Sequence, residues 1–178
     1  MRPDRSQKAR PPLDRAGLER IALHYVGRFA TTRAKLGAYL ARKLVERGWA
    51  EEARPPIEAL VERFAALGYV DDQAFASARA GALGRRGYGI RRIDQALKQA
   101  GITPEDSAPA KAAAEDGAWQ AALRFAQRKR VGPFAAEPLD RPARQRAFAA
   151  MARAGHEIDL IQRVLDAAPG EIPNSDNP

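Results

Sequence analysis

Within 178 residues the chain carries 30 basic and 22 acidic side chains, a net charge of +8 and a pI near 10.3. It has no cysteine, which excludes disulfides and thiolate metal sites and suits a reducing, cytoplasmic setting. Charges interrupt every apolar stretch and Met1–Arg10 is basic without an apolar core, so neither a membrane span nor a signal peptide is expected.

Residues 1–12, with Arg2, Arg5, Lys8, Arg10 and three prolines, read as a disordered basic arm. From Leu13 the pattern turns helical. Asp14 can cap a first helix over about 15–28, with Leu13 and Leu18 as a hydrophobic staple. Thr31 or Thr32 caps a second, whose Leu36, Leu40 and Leu44 lie four apart before Gly48. Pro55 and Pro56 open a third helix, with Ile57, Leu60, Val61, Phe64 and Leu67 at helical spacing. In a fourth, over about 72–86, Asp71 is the expected N-cap, and Asp72 follows in the first turn, where the dipole favours negative charge.

Residues 84–92, Gly-Arg-Arg-Gly-Tyr-Gly-Ile-Arg-Arg, read as a loop, after which Ile93 and Leu97 resume a helix that Gly101 stops. Thr103-Pro104-Glu105-Asp106 opens a sixth helix that Pro109 is expected to spoil. A seventh runs through Trp119, Leu123 and Ala126 to a basic end at Arg128, Lys129 and Arg130. Two more, over about 142–154 and 157–168, precede a frayed tail over 169–178. Strand signals are thin, since the β-branched residues lie at helical spacing.

One phrase recurs through this series: a bulky apolar residue, three helix formers and a glycine. Leu44–Gly48, Leu97–Gly101 and Met151–Gly155 place their glycines 53 and 54 residues apart (101−48 and 155−101). Such a glycine suits the left-handed position just past a helix, where the following residue packs back onto the apolar one. Trp49 and Ile102 fit that contact; His156 does not, which makes the third copy the weak one. Phe64–Gly68 is a further, off-period copy. The fold expected is all-α, three tandem three-helix repeats over 13–69, 70–117 and 118–168 in an elongated, curved array.

Charge is uneven: residues 1–50 hold 12 Lys/Arg against 4 Asp/Glu, and residues 51–178 balance at 18 each. A basic half points to a polyanion, most often nucleic acid. The 84–92 loop puts two arginine pairs, Arg85-Arg86 and Arg91-Arg92, beside a helix start whose amides can meet phosphate oxygens. Its G-x-x-G matches KH domains, but those need a sheet, and it lacks the Lys-Ser/Thr of a nucleotide-hydrolysing P-loop. Arg28, Arg33, Lys35, Arg42 and Lys43 form a second basic group. Arg141, Arg144, Arg146 and Arg153 form a third, beside Arg128, Lys129 and Arg130. Tyr88 is the candidate for an exposed stacking role. Capping accounts for Asp71 and Asp72, and neither His24 nor His156 lies near a nucleophile phrase, so no catalytic, metal or cofactor residue is expected.

Leu23-His24-Tyr25, Thr32, Leu36, Leu40 and Gly48, then Gly68-Tyr69-Val70-Asp71-Asp72-x-x-Phe75-Ala76, then Arg86-Gly87, Ile93, Leu97 and Gly101-Ile102 together resemble the RecX family, regulators of the RecA recombinase. The resemblance covers about residues 18–168. It implies tandem three-helix repeats and a protein, not an enzyme, that lodges on RecA filaments, restrains their ATPase and strand-exchange activities and touches single- and double-stranded DNA without sequence preference. Ala154-Gly155-His156 departs from the family pattern, which usually has a basic residue and an aromatic around that glycine. A monomer is expected. The competing expectation is an autonomous DNA-binding protein in which residues 90–100 act as a recognition helix, with Arg91, Arg92 and Gln95 facing a groove.

Overall fold

The computed structural model describes residues 11–174, so residues 1–10 of the expected basic arm and 175–178 of the expected tail lie outside the described part. Among the described residues there are nine α-helices: α1 (Arg15–Val26), α2 (Arg33–Arg47), α3 (Ile57–Ala66), α4 (Asp72–Arg85), α5 (Ile90–Gln99), α6 (Pro104–Asp116), α7 (Ala118–Lys129), α8 (Arg141–Arg153) and α9 (Ile158–Asp166). A single 3-10 turn, Gly132–Phe134, stands between α7 and α8. The helices form three consecutive triplets, each around its own apolar cluster. Leu18, Leu36, Leu40 and Phe64 centre the first, Ala76, Ile93 and Leu97 the second, and Ala122, Met151, Ile161 and Val164 the third. By compactness the chain divides after Asp72 into two units, the second holding most of α4 and all of the later helices.

Local chemistry sets several of the helix starts. Asp14 accepts from the Gly17 N–H at 2.7 Å, Thr32 from Lys35 at 3.2 Å, Thr103 from Asp106 at 3.1 Å and Asp140 from Ala143 at 2.7 Å. Each satisfies one amide that a helix start leaves open, an interaction worth about 1 kcal/mol.

Other positions differ from expectation, and in each case a distant partner is the reason. Asp72 is the first residue of α4, yet its side chain serves α2. It is 5% exposed and accepts from the Arg33 N–H at 2.9 Å and from Arg33 Nε at 3.4 Å. Arg33 opens α2, so the buried carboxylate sits at the positive end of that helix. Pro109 does not break α6, which runs on to Asp116. The ring removes one intrahelical hydrogen bond, while burial of Ser107 and Ala110 and packing of the helix on α5 keep the segment helical past the site. Nor is 84–92 a continuous loop: Gly84 and Arg85 close α4, Ile90–Arg92 open α5, and only residues 86–89 connect them.

Among the glycine phrases Gly101 behaves as expected, while Gly48 and Gly155 exchange places. The expected left-handed cap forms at Gly101 and at Gly155, where the next residue's N–H reaches the apolar residue's carbonyl: Ile102 to Leu97 and His156 to Met151, both 3.2 Å. At Gly48 it does not form. That residue, at φ 80° and ψ 171°, leads into an extended segment whose Gly48 O and Ala50 N–H pair with Leu13 at 3.0 and 2.9 Å. His156, the residue that looked least suited, is 2% exposed.

Its burial follows from a backbone-on-backbone contact between the second and third triplets. A Cβ on Gly89 would lie 2.3 Å from the Gly155 carbonyl oxygen, and one on Gly155 would lie 2.4 Å from the Arg92 nitrogen. Gly155→Ala therefore combines a left-handed backbone with a clash against main chain and is expected to cost about 3 kcal/mol or more. Gly68→Ala, where φ is 76° and a Cβ meets nothing within 4 Å, should cost only about 1–2 kcal/mol. Urea unfolding of the two variants against the parent measures the difference.

Candidate nucleic-acid interface

The junction of α4, α5 and α7 gathers a group of exposed arginines. Helix α4 ends in a left-handed cap at Gly87, with Gly87 N–H to Gly84 O at 2.9 Å and Tyr88 N–H to Leu83 O at 3.1 Å. Leu83–Gly87–Tyr88 is thus a further copy of the glycine phrase, concealed in sequence by Gly84, which stands where the other copies have a helix former. Gly87 allows α4 to close on α7, since a Cβ there would lie 2.9 Å from the Phe125 nitrogen. Two arginines one turn apart on α7 then cap α4: Arg124 Nε donates to Gly84 O at 3.2 Å, and Arg128 donates to Arg86 O. Arg86 stacks over the Tyr88 ring at 5.6 Å.

Arg85, Arg86, Arg91, Arg124 and Arg128 are all exposed, and among the described residues none of them pairs with a carboxylate. Arg92 is exposed as well and donates to Gln95 at 3.2 Å. Arg124 is the member that sequence reasoning missed. Its position one turn before Arg128 was the available signal, and only the docking of α4 on α7 gives it meaning.

The helix-start amides expected to bind phosphate are otherwise occupied. Gly89 N–H donates to Ala154 O at 2.9 Å and Arg91 N–H to Gly155 O at 3.1 Å, so the carbonyl end of α8 already meets the amide end of α5. The arginines remain as the candidate anion-binding groups. The same contact counts against residues 90–100 as a recognition helix, because such helices present their N-terminal residues to base edges, and here that end abuts α8.

The remaining candidates divide by what they already hold. Arg33 pairs with Asp72 and with Glu62 at 3.8 Å. Arg42 and Lys43 share Glu46, at 3.6 and 2.5 Å. Arg144 donates to Leu165 O and to Asp166, tying α8 to the end of α9. Arg28, Lys35, Lys129, Arg130 and Arg146 are exposed. Arg130 takes φ 54° at the end of α7, the left-handed position glycine fills elsewhere. Tyr88 is half-buried, packed against both the second and third apolar clusters beneath Arg86.

A cleft of about 270 Å³ opens beside Arg85 and Arg124. Its walls are mostly alanine and glycine, and Tyr88 is the one other titratable side chain lining it. His156 lies behind the junction. Its Nε2 is 3.1 Å from Gly87 O, its ring meets Phe125 edge-on, and its Nδ1 is buried without a partner. Burial disfavours the charged ring and holds its pKa below the ordinary 6.5; the Gly87 hydrogen bond opposes this, and the Arg128 charge adds to it. Asp94 is held below the usual carboxylate range by hydrogen bonds from Lys111 and Lys98.

Comparison with known proteins places these features in a family. Residues 71–110 match the family model described as RecX, second three-helix domain. The chain is 36% identical to the regulatory protein RecX of Myxococcus xanthus, over 94% of this chain and 91% of that one. It is 34% identical to the regulatory protein RecX of Pseudomonas fluorescens, over 71% and 77%. The crystal structure of RecX from Lactobacillus salivarius shares the fold at a TM-score of 0.66 and 16% identity, covering 84% of this chain and 92% of that one. Another regulatory protein RecX structure aligns at 0.65 and 20%, covering 85% and 73%. No helix among the described residues is long and apolar enough to cross a membrane.

The depressed histidine gives a signed prediction. A folded pKa below the unfolded one means that the unfolded chain binds more protons, so this contribution to stability is complete above about pH 6.5 and is lost as pH falls from there through the lowered folded value. The urea midpoint of the parent should drop between pH 7 and pH 5 by more than that of His156→Phe, which has no proton to take up.

Proposed function

The chain belongs to the RecX family of regulatory proteins, and from that premise and the arginine junction we propose that it binds the RecA–DNA nucleoprotein filament and restrains it. The effect is on ATP hydrolysis, strand exchange and the SOS-related activities of the filament, and it is exerted by occupancy, without chemistry of its own. It acts as a monomer in the cytoplasm.

One observation carries the reading: Arg85, Arg86, Arg91, Arg124 and Arg128 converge at the α4–α5 connection without a paired carboxylate. Guanidinium groups anchored by hydrogen bonds to carbonyls, with other donors left outward, suit phosphate oxygens and acidic protein surface alike. Such contacts are indifferent to base sequence and weaken with salt. That fits a protein whose substrate is a filament laid on any DNA.

Added at stoichiometric levels to RecA on single-stranded DNA, the protein should lower the steady-state rate of ATP hydrolysis; an unchanged rate would refute the proposal. Arg85→Glu/Arg86→Glu should keep the parent's thermal melting curve, weaken filament binding about tenfold or more and reduce the slope of log affinity against log salt by about 2. Unchanged affinity and slope would show these side chains to be solubilising surface. Titrations with RecA alone, DNA alone and both together separate the two contacts.

A further inference from the structure

The first unit carries an aromatic series that its core does not use up. Tyr25 on α1 and Tyr39 on α2 stack with centroids 4.1 Å apart and planes 13° from parallel, both half-buried at the edge of the first cluster. Phe29 continues the series on the other side, 5.4 Å from Tyr25, and is 55% exposed. It is not a loose side chain. The Arg28 and Phe29 amides both donate to Tyr25 O, at 3.1 and 3.0 Å, and Thr31 and Thr32 immediately beyond are buried. A short connection pinned at both ends holds the ring outward, although folding gains little from a ring left half in water.

Cations flank this series. Arg28 is exposed beside Phe29, and the Arg42 guanidinium and Lys43 ammonium lie 5.6 and 5.7 Å from the Tyr39 centroid. Glu46 pairs with both, but such surface pairs exchange with little loss when phosphate competes. An exposed ring bordered by positive charge is the arrangement by which proteins bind single strands: the ring takes an unpaired base and the cations track its phosphates. A duplex keeps its base faces inside and offers the ring nothing.

We propose that Phe29, backed by Tyr25 and Tyr39 and flanked by Arg28, Arg42 and Lys43, is a base-stacking site for single-stranded nucleic acid. The site goes beyond the filament reading, since it needs no RecA and makes no use of the arginine junction in the second unit. It gives the protein a preference for unpaired bases that the arginines alone do not supply.

The test uses the full chain without RecA and three end-labelled probes of about 16 nucleotides: oligothymidine, an abasic strand with the same number of phosphates, and a duplex. The parent should bind oligothymidine about tenfold tighter than the abasic strand. Phe29→Ala should erase that preference while leaving affinity for the abasic strand and the duplex unchanged, with a parental melting curve. Phe29→Trp should restore the preference, and its fluorescence should be quenched by oligothymidine but not by the abasic strand. Equal binding of the two strands by the parent overturns the proposal, as does an equal loss on all three probes in Phe29→Ala. If Phe29→Ala binds all probes as the parent does but loses its effect on RecA, the ring is a protein-docking anchor and the proposal falls. Arg85→Glu/Arg86→Glu in the same assay should weaken all three probes together, so failure of the arginine reading and failure of this one give different results.

Discussion

Two glycines in backbone contact govern the second unit. With no Cβ on Gly89 or Gly155, the last carbonyls of α8 come within hydrogen-bonding distance of the first amides of α5, and two helix ends with opposite partial charge satisfy one another. The consequences spread outward. His156, the residue after the glycine, is drawn into the interior against Gly87 and Phe125. The α4–α5 connection is pinned from below, so its arginines point outward from a fixed base rather than from a flexible loop. A helix start that would otherwise attract phosphate is neutralised by protein instead. The same contact thus builds the candidate interface and decides which of its groups are available to a ligand.

Many arginines in this chain are employed on carbonyls. Arg47 donates to Pro11 O at 3.0 and 2.8 Å, Arg124 to Gly84 O, Arg128 to Arg86 O and Arg144 to Leu165 O. A short helix leaves several carbonyls open at its end, and the nine short helices among the described residues have many such ends to satisfy, although Pro11 lies outside them. Guanidinium does this well because its fork reaches one carbonyl and keeps other donors free. The +8 net charge is therefore not a direct map of a binding surface: part of the excess closes helices, and at α4 the side chains that do so belong to the proposed interface.

What could be read from the amino acids alone follows the same division. Asp14, Thr32 and Thr103 bond three residues along the chain, so their geometry is local and their caps are visible as patterns; Asp140 caps α8 in the same local way, but the sequence pattern leaves it in the loop before that helix. Asp72 and His156 reach partners 39 and 69 residues away, and no local rule distinguishes a carboxylate that caps its own helix from one that caps another. The glycine phrase had both kinds of content. Its spacing marked the three triplets, but which copies form left-handed caps depended on Leu13 pairing with the Gly48–Ala50 segment, a tertiary event. The arginine pairs at 85–86 and 91–92 stood out by composition, whereas Arg124 became part of the interface only through α4 docking on α7. Phe29 went unnoticed because nothing in the sequence separates an exposed phenylalanine just past a helix end from one that folds back onto the core, and only its exposure does.

The two proposed surfaces would differ in the property of DNA they sense. Arginines around Gly87 would respond to charge density, which single and double strands share, while a ring such as Phe29 would respond to an accessible base face, which only unpaired or extended strands offer. Neither proposal calls for reading base identity, since phosphate charge and an exposed base face are common to every sequence. A protein equipped in this way distinguishes nucleic acid by its state rather than its sequence. That is the discrimination the proposed function calls for, and it would follow from side-chain chemistry that short capped helices place on the surface at little cost to the core.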